Sequence, residues 1–113
     1  MTKKNFEELE LWHQTMLELV RRNNPDLDLS TRQMAILLLV YLQSDQQSVK
    51  ALSSALNISK PAISRALDKL SALGFVKRQQ DQDDRRNVII SRTVKGAEYI
   101  TTLNDIILEK KAG

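Results

Sequence analysis

Val49-Lys50-Ala51-Leu52-Ser53-Ser54-Ala55-Leu56-Asn57-Ile58-Ser59-Lys60-Pro61-Ala62-Ile63-Ser64-Arg65-Ala66-Leu67-Asp68-Lys69-Leu70-Ser71-Ala72-Leu73-Gly74 reads as two helices joined by a tight turn. Leu52, Leu56, Ile58, Ile63, Ala66 and Leu67 fall where two short helices each bury one stripe against the other. Asn57 stands at the sharp turn, and Asn tolerates left-handed backbone better than most residues. The second helix is predicted over 59–73. Ser59 is its N-cap, Pro61 lies in its first turn where a missing N–H does little harm, and Gly74 supplies the left-handed stop. Ile63, Ala66, Leu67 and Leu70 make its i, i+3, i+4, i+7 stripe; Pro61, Ser64, Arg65, Asp68 and Lys69 occupy the other side.

Downstream, Phe75-Val76-Lys77-Arg78 and Val88-Ile89-Ile90-Ser91 are β-rich runs separated by a polar loop with Asp84-Arg85-Arg86 at its tip. The fold class expected is mainly α with a small β-hairpin: four helices, a strand, a wing, a strand and a fifth helix, which is a winged helix-turn-helix. Such a shape offers one polar helix face to a DNA major groove and a basic loop beside it. Arg65 and Ser64 would reach a base edge or a phosphate, and Ser59 and Lys60 would meet phosphate at the helix start. Arginine suits minor-groove insertion, being always charged and weakly hydrated. Asp84 is expected to pin an arginine and order the tip, whereas Asp81 and Asp83 read as a solvated, mixed-charge turn.

Upstream, a first helix is predicted over residues 5 to about 22. Leu9, Trp12, Met16, Leu19 and Val20 recur at helical spacing, Glu7, Glu8 and Glu10 fill the first turn, and Asn23-Asn24-Pro25-Asp26 ends it. Ser30 and Gln33 form a capping box for a second helix, whose body from Met34 to Leu42 is apolar almost all round and so reads as the central buried one. Ser44-Asp45-Gln46-Gln47 reads as a turn. Thr93 caps a last helix reaching about Glu109, with Tyr99, Ile100, Leu103, Ile106 and Ile107 on its apolar side.

A chain of 113 residues suits one domain, expected over 1–113, and its 42% apolar content can fill a core. No apolar run approaches the roughly 20 residues of a membrane span, and the first residues lack the apolar region of a secretory signal. With no Cys, disulfides and thiolate metal sites are excluded, and a cytoplasmic protein is expected. No enzyme is expected, and no catalytic, cofactor-binding or metal-ligating residue is assigned: His13 stands alone, the acids are scattered or beside arginine, and Gly74, Gly96 and Gly113 form no phosphate loop. The net charge is +3, yet residues 57–96 hold Lys60, Arg65, Lys69, Lys77, Arg78, Arg85, Arg86, Arg92 and Lys95 against Asp68, Asp81, Asp83 and Asp84, which puts +5 there and −2 elsewhere. On charge alone, a polyanion partner and a solvated basic face stand equal.

Taken together, Val49-Lys50-Ala51-Leu52, Asn57-Ile58-Ser59, Ala62-Ile63-Ser64-Arg65, Leu70, Leu73-Gly74-Phe75-Val76-Lys77-Arg78, Asp81, Asp84-Arg85-Arg86 and Thr93-x-x-Gly96 resemble the MarR family of winged-helix transcriptional regulators. The resemblance covers residues 29 to about 100, and Asp-x-Arg followed by Thr-x-x-Gly is the family's hallmark. It implies a prokaryotic homodimer on pseudo-palindromic double-stranded DNA, with helix 59–73 in the major groove and wing 79–87 in the minor groove, repression being the default mode. The DNA-binding residues so assigned are Ser59, Lys60, Pro61, Ala62, Ser64, Arg65, Lys69, Asp84, Arg85 and Arg86, with Asp84 and Arg86 matching the family's wing aspartate and arginine.

Two departures qualify the resemblance. Family members carry a longer C-terminal helix that pairs with the first helix, so a smaller dimer interface, through Trp12, Met16, Ile107 or Leu108 of residues 1–28 and 94–113, is expected here, and no small-molecule effector is asserted. Arg92 replaces the usual apolar residue before the threonine, leaving solvent or a phosphate as its destination. The rival reading is a winged helix used as a protein-binding adaptor or as an antagonist of another regulator, for which Trp12 is the main reason and against which Arg65 and Arg86 stand together.

Overall fold

The structure, a computed structural model describing residues 5–22 and 27–113, orders its elements as α1 (Glu7–Arg22), α2 (Thr31–Leu42), β1 (Gln47–Ser48), α3 (Val49–Leu56), α4 (Lys60–Ala72), β2 (Val76–Gln80), β3 (Val88–Arg92) and α5 (Val94–Ala112). The helix-ending tetrad expected at 23–26 lies outside the described residues. The chain divides into two compact units: Leu29–Ile100, and the stretch before it together with Thr101–Gly113.

In the unit Leu29–Ile100, local chemistry sets the helix ends. Ser30 Oγ accepts the Gln33 N–H at 3.1 Å while Gln33 Oε1 accepts the Ser30 N–H at 2.8 Å, so two first-turn donors of α2 are satisfied reciprocally. Ser48 caps α3 by accepting the Ala51 N–H at 3.0 Å. Asn57 takes the left-handed conformation, φ 54°, and turns the chain between α3 and α4; Gly74, φ 78°, ends α4. Ile36, Leu37, Leu52, Ile63, Leu67 and Leu70 are fully buried where α2, α3 and α4 meet. Each such side chain contributes about 1.5–3 kcal/mol of burial. Leu42 is exposed, so α2 is central along Ile36, Leu37 and Val40 rather than buried all round.

The sheet has three antiparallel strands in the order β1-β3-β2, not the two of the expected hairpin. Gln47, expected in a turn, pairs with Ile90, and Ser48 pairs with Ile89. Two residues are too few to show alternation, which is why β1 has no signature in the sequence. In the hairpin itself Val76 pairs with Arg92 and Gln80 with Val88, so β2 runs two residues past Arg78. Only Val76 of β2 is buried, and the strand's polar end carries no apolar marker.

Arg92 is exposed but does not splay free into solvent. Its Nε donates to the Val40 carbonyl at 2.8 Å and its Nη2 to the Gln43 carbonyl at 2.7 Å, carbonyls that the end of α2 leaves without helical partners. Thr93 Oγ1 accepts the Gly96 N–H at 2.9 Å, opening α5, and donates to the Gly74 carbonyl at 2.7 Å.

In the other unit, α1 starts with Asn5 Oδ1 accepting the Glu7 N–H at 3.2 Å. Thr15, Leu19, Leu103 and Ile106 are buried, and Glu18 is paired with Arg22 at 2.6 Å and Lys110 at 3.2 Å. Arg22 also meets Glu109 at 3.3 Å. Phe6, Leu9, Trp12 and Val20 are exposed, as is Leu108. Leu9, Trp12 and, two turns on, Val20 lie on one side of α1, a second apolar stripe beside the buried one, with Phe6 just before the helix.

Candidate nucleic-acid interface

The first turn of α4 is held by Ser59, whose Oγ accepts the Ala62 N–H at 3.3 Å and whose carbonyl accepts the Ile63 N–H at 3.0 Å. That cap points the positive end of the helix dipole outward beside Lys60. Lys60, Pro61, Arg65 and Asp68 are exposed, and Ser64 and Lys69 are half-buried on the same element. Ala62 departs from its assignment. It is 7% exposed, its methyl packs inward and its N–H is taken by the cap, so it belongs to the core rather than to the outer face.

The wing loop is ordered by its acids. Asp81 N–H donates to the Asn87 carbonyl at 2.9 Å, closing the loop, and Asn87 N–H donates to the Asp84 carbonyl at 2.9 Å. Asp81 Oδ1 accepts the Asp83 N–H at 3.0 Å, and Asp84 Oδ1 accepts the Arg86 N–H at 3.1 Å. Gln80 Nε2 donates to the Arg85 carbonyl at 2.7 Å. The expectation of a merely solvated Asp81 is therefore corrected: its backbone and carboxylate both shape the turn. Asp84 meets the Arg86 guanidinium at 3.6 Å, yet the Arg86 side chain remains 95% exposed, and Arg85 is exposed beside it. Arg86 thus stands on a fixed backbone with its charge presented to solvent.

Two residues outside the assigned set join these surfaces. Arg78 Nη1 lies 2.8 Å from Asp68 Oδ1, linking β2 to the outer face of α4. Ser64, Arg78, Gln79, Gln80, Val49 and Val88 line an open cleft of about 300 Å³. Ser64 of α4 and the strands of the wing thereby border one depression, and Arg78 is the cation in its lining. The Asp68–Arg78 spacing crosses a helix-to-strand corner, so no periodicity in the sequence links the two residues.

Among the described residues no group of three or more His, Cys, Asp or Glu would hold a metal ion, and no helix is long and apolar enough to cross a membrane.

The model of the MarR family matches residues 27–87. A protein of Bacillus subtilis (strain 168), the uncharacterized HTH-type transcriptional regulator YkoM, is 29% identical over 85 residues, which are 75% of this chain and 54% of the relative, so the chain spans about half the length of that curated relative. A MarR transcriptional regulator from Methanosarcina mazei Go1 is similar in structure, with a TM-score of 0.67, 27% identity and coverage of 93% of this chain and 74% of that one. The S. aureus MepR–DNA complex has a TM-score of 0.71 at 22% identity, covering 93% of this chain and 79% of that one, a likeness of fold.

Proposed function

The chain belongs to the MarR family, and from that premise we propose that it is a sequence-specific regulator of transcription that binds double-stranded DNA as a homodimer in a prokaryotic cytoplasm, acting as a repressor. Helix 59–73 enters a major groove. Lys60 and the α4 N-terminus that Ser59 caps meet phosphate, Pro61 and Ser64 lie against the groove wall, and Arg65 and Lys69 reach base edges or the opposite backbone. Wing 79–87 enters the neighbouring minor groove, with Arg86 inserted, Arg85 on phosphate and Asp84 orienting Arg86.

The observation that carries this reading is the shared depression: Ser64 of α4 and Arg78, Gln80 and Val88 of the wing line one cleft. That adjacency supports one duplex meeting both elements at once. The MepR structure of the same fold was solved with DNA. The apolar stripe Leu9, Trp12 and Val20 on α1, with Phe6 just before it, supports pairing with a second copy, which would give two half-sites.

Selection from a pool of randomised duplexes tests the reading. The recombinant chain is expected to enrich an inverted repeat, with affinity falling steeply as salt rises because phosphate contacts release counterions. Enrichment of no sequence, together with a flat salt response, would overturn it and leave a protein-binding adaptor in its place.

A further inference from the structure

The end of α2 grips the foot of the wing. Tyr41, in the last turn of α2, donates its hydroxyl proton to the Phe75 carbonyl at 2.7 Å and accepts the Thr93 N–H at 2.9 Å. Phe75 immediately precedes β2 and Thr93 immediately follows β3, and Val76 pairs with Arg92 as the rung between them. One oxygen atom therefore ties both ends of the hairpin together. From that same rung Arg92 reaches back to the Val40 and Gln43 carbonyls, at 2.8 and 2.7 Å, and its guanidinium lies 5.7 Å from the centre of the Tyr41 ring. Gly96 leaves the space that this arrangement needs, because a Cβ there would run into the Tyr41 hydroxyl and the Phe75 carbonyl.

We propose that Tyr41 and Arg92 are positioning residues for DNA binding, fixing the angle at which the wing leaves the helices and so where Arg86 lands, without touching DNA themselves. The inference rests on the DNA-binding reading above. Beyond Val76, every residue of β2 is exposed, and β1 supports β3 only at Ile89 and Ile90. Midway along the hairpin Ile90 is buried and Arg78 meets Asp68 at 2.8 Å, so the Tyr41 and Arg92 ties at the foot supply the other points that set its direction. The five residues of β3 make a lever of about 17 Å, on which a tilt of about 10° at the foot carries the tip about 3 Å, more than a hydrogen bond tolerates.

The test uses Tyr41→Phe, Arg92→Met and Arg86→Ala singly, and each of the first two combined with Arg86→Ala. All are titrated at one salt concentration, below every melting transition, with a duplex selected by the unmodified chain from a randomised pool. Tyr41→Phe and Arg92→Met are each expected to bind roughly three- to ten-fold more weakly, the scale of one or two lost hydrogen bonds. Each double variant is expected to bind no more weakly than Arg86→Ala alone, since a wing without its arginine has nothing to misplace. A general loss of stability would not produce that masking. Losses that simply add, or unchanged affinity in both single variants, would overturn the proposal while leaving the DNA-binding reading standing. Unchanged affinity of Arg86→Ala would instead remove the wing from the interface, and the proposal with it.

Discussion

Arg78 Nη1 lies 2.8 Å from Asp68 Oδ1, so the first strand of the wing is ion-paired to the outward face of α4. The Asp68 side chain is two-thirds exposed and that of Arg78 one-third, so the pair is screened and contributes less than about 1 kcal/mol. Its larger effect is on charge beside the proposed DNA-binding face. Asp68→Asn removes a carboxylate from the side that would face phosphates and releases Arg78 to meet one. Affinity for a duplex of arbitrary sequence is expected to rise, and the slope of log affinity against log salt to steepen by about one. Denaturant melts should show the midpoint almost unmoved. Weaker binding in Asp68→Asn would mean that the carboxylate itself reads the DNA.

Arg86 supports little of the protein's own structure. Among the described residues its guanidinium is paired only with the Asp84 carboxylate, at 3.6 Å, and its side chain is 95% exposed. Arg86→Ala is therefore expected to melt with the wild-type transition, yet to weaken binding to the selected duplex by about 1–3 kcal/mol. Fluorescence anisotropy at fixed salt measures the difference. Equal affinities would exclude minor-groove insertion by this side chain.

The helices were legible because each announces itself locally. Ser30 with Gln33, Asn57, Ser59 with Pro61, and Gly74 mark ends whose backbone needs those residue types, and Ile63, Ala66, Leu67 and Leu70 repeat along one stripe. Contacts made between elements left no such mark. β1 exists because Gln47 and Ser48 find β3, not because two residues favour a strand. The sequence does not show where Arg92 goes, because its partners, the Val40 and Gln43 carbonyls, are backbone atoms that no residue type reveals. Asp81 leaves no mark for a related reason: its acceptor role depends on where the Asp83 N–H points once the loop has closed. Motif position puts Ala62 on the outer face, whereas the helix phase turns it inward.

Glu18 gives the unit containing α1 a predictable acid response. The hydrogen bond from Arg22, followed by that from Lys110, holds its carboxyl below the usual glutamate range against an opposing cost of burial. Because the folded value is depressed, the stabilisation is fully present above the unfolded value and is lost as pH falls through the folded one. Glu18→Gln should therefore melt below the wild type at neutral pH, and the two curves should converge in acid. Parallel melting curves across that range would show that the ion pairs contribute nothing to folding.

Trp12 is 54% exposed on a helix that already buries Thr15 and Leu19, and Leu9 and Val20 extend the same outward stripe. Soluble chains seldom leave a row of large apolar side chains in water unless it meets a partner, and a stripe presented identically by two copies suits a two-fold contact. Trp12→Asp should leave the fold intact, because the ring is already half in solvent. It should weaken self-association by at least about ten-fold, the effect of removing a central aromatic anchor. Sedimentation equilibrium at micromolar concentration reads this directly, with the wild type expected as dimer and the variant as monomer. Binding to the inverted repeat should weaken in parallel, since the second half-site is then no longer held near its partner. A variant that remains dimeric would move the two-fold contact away from α1.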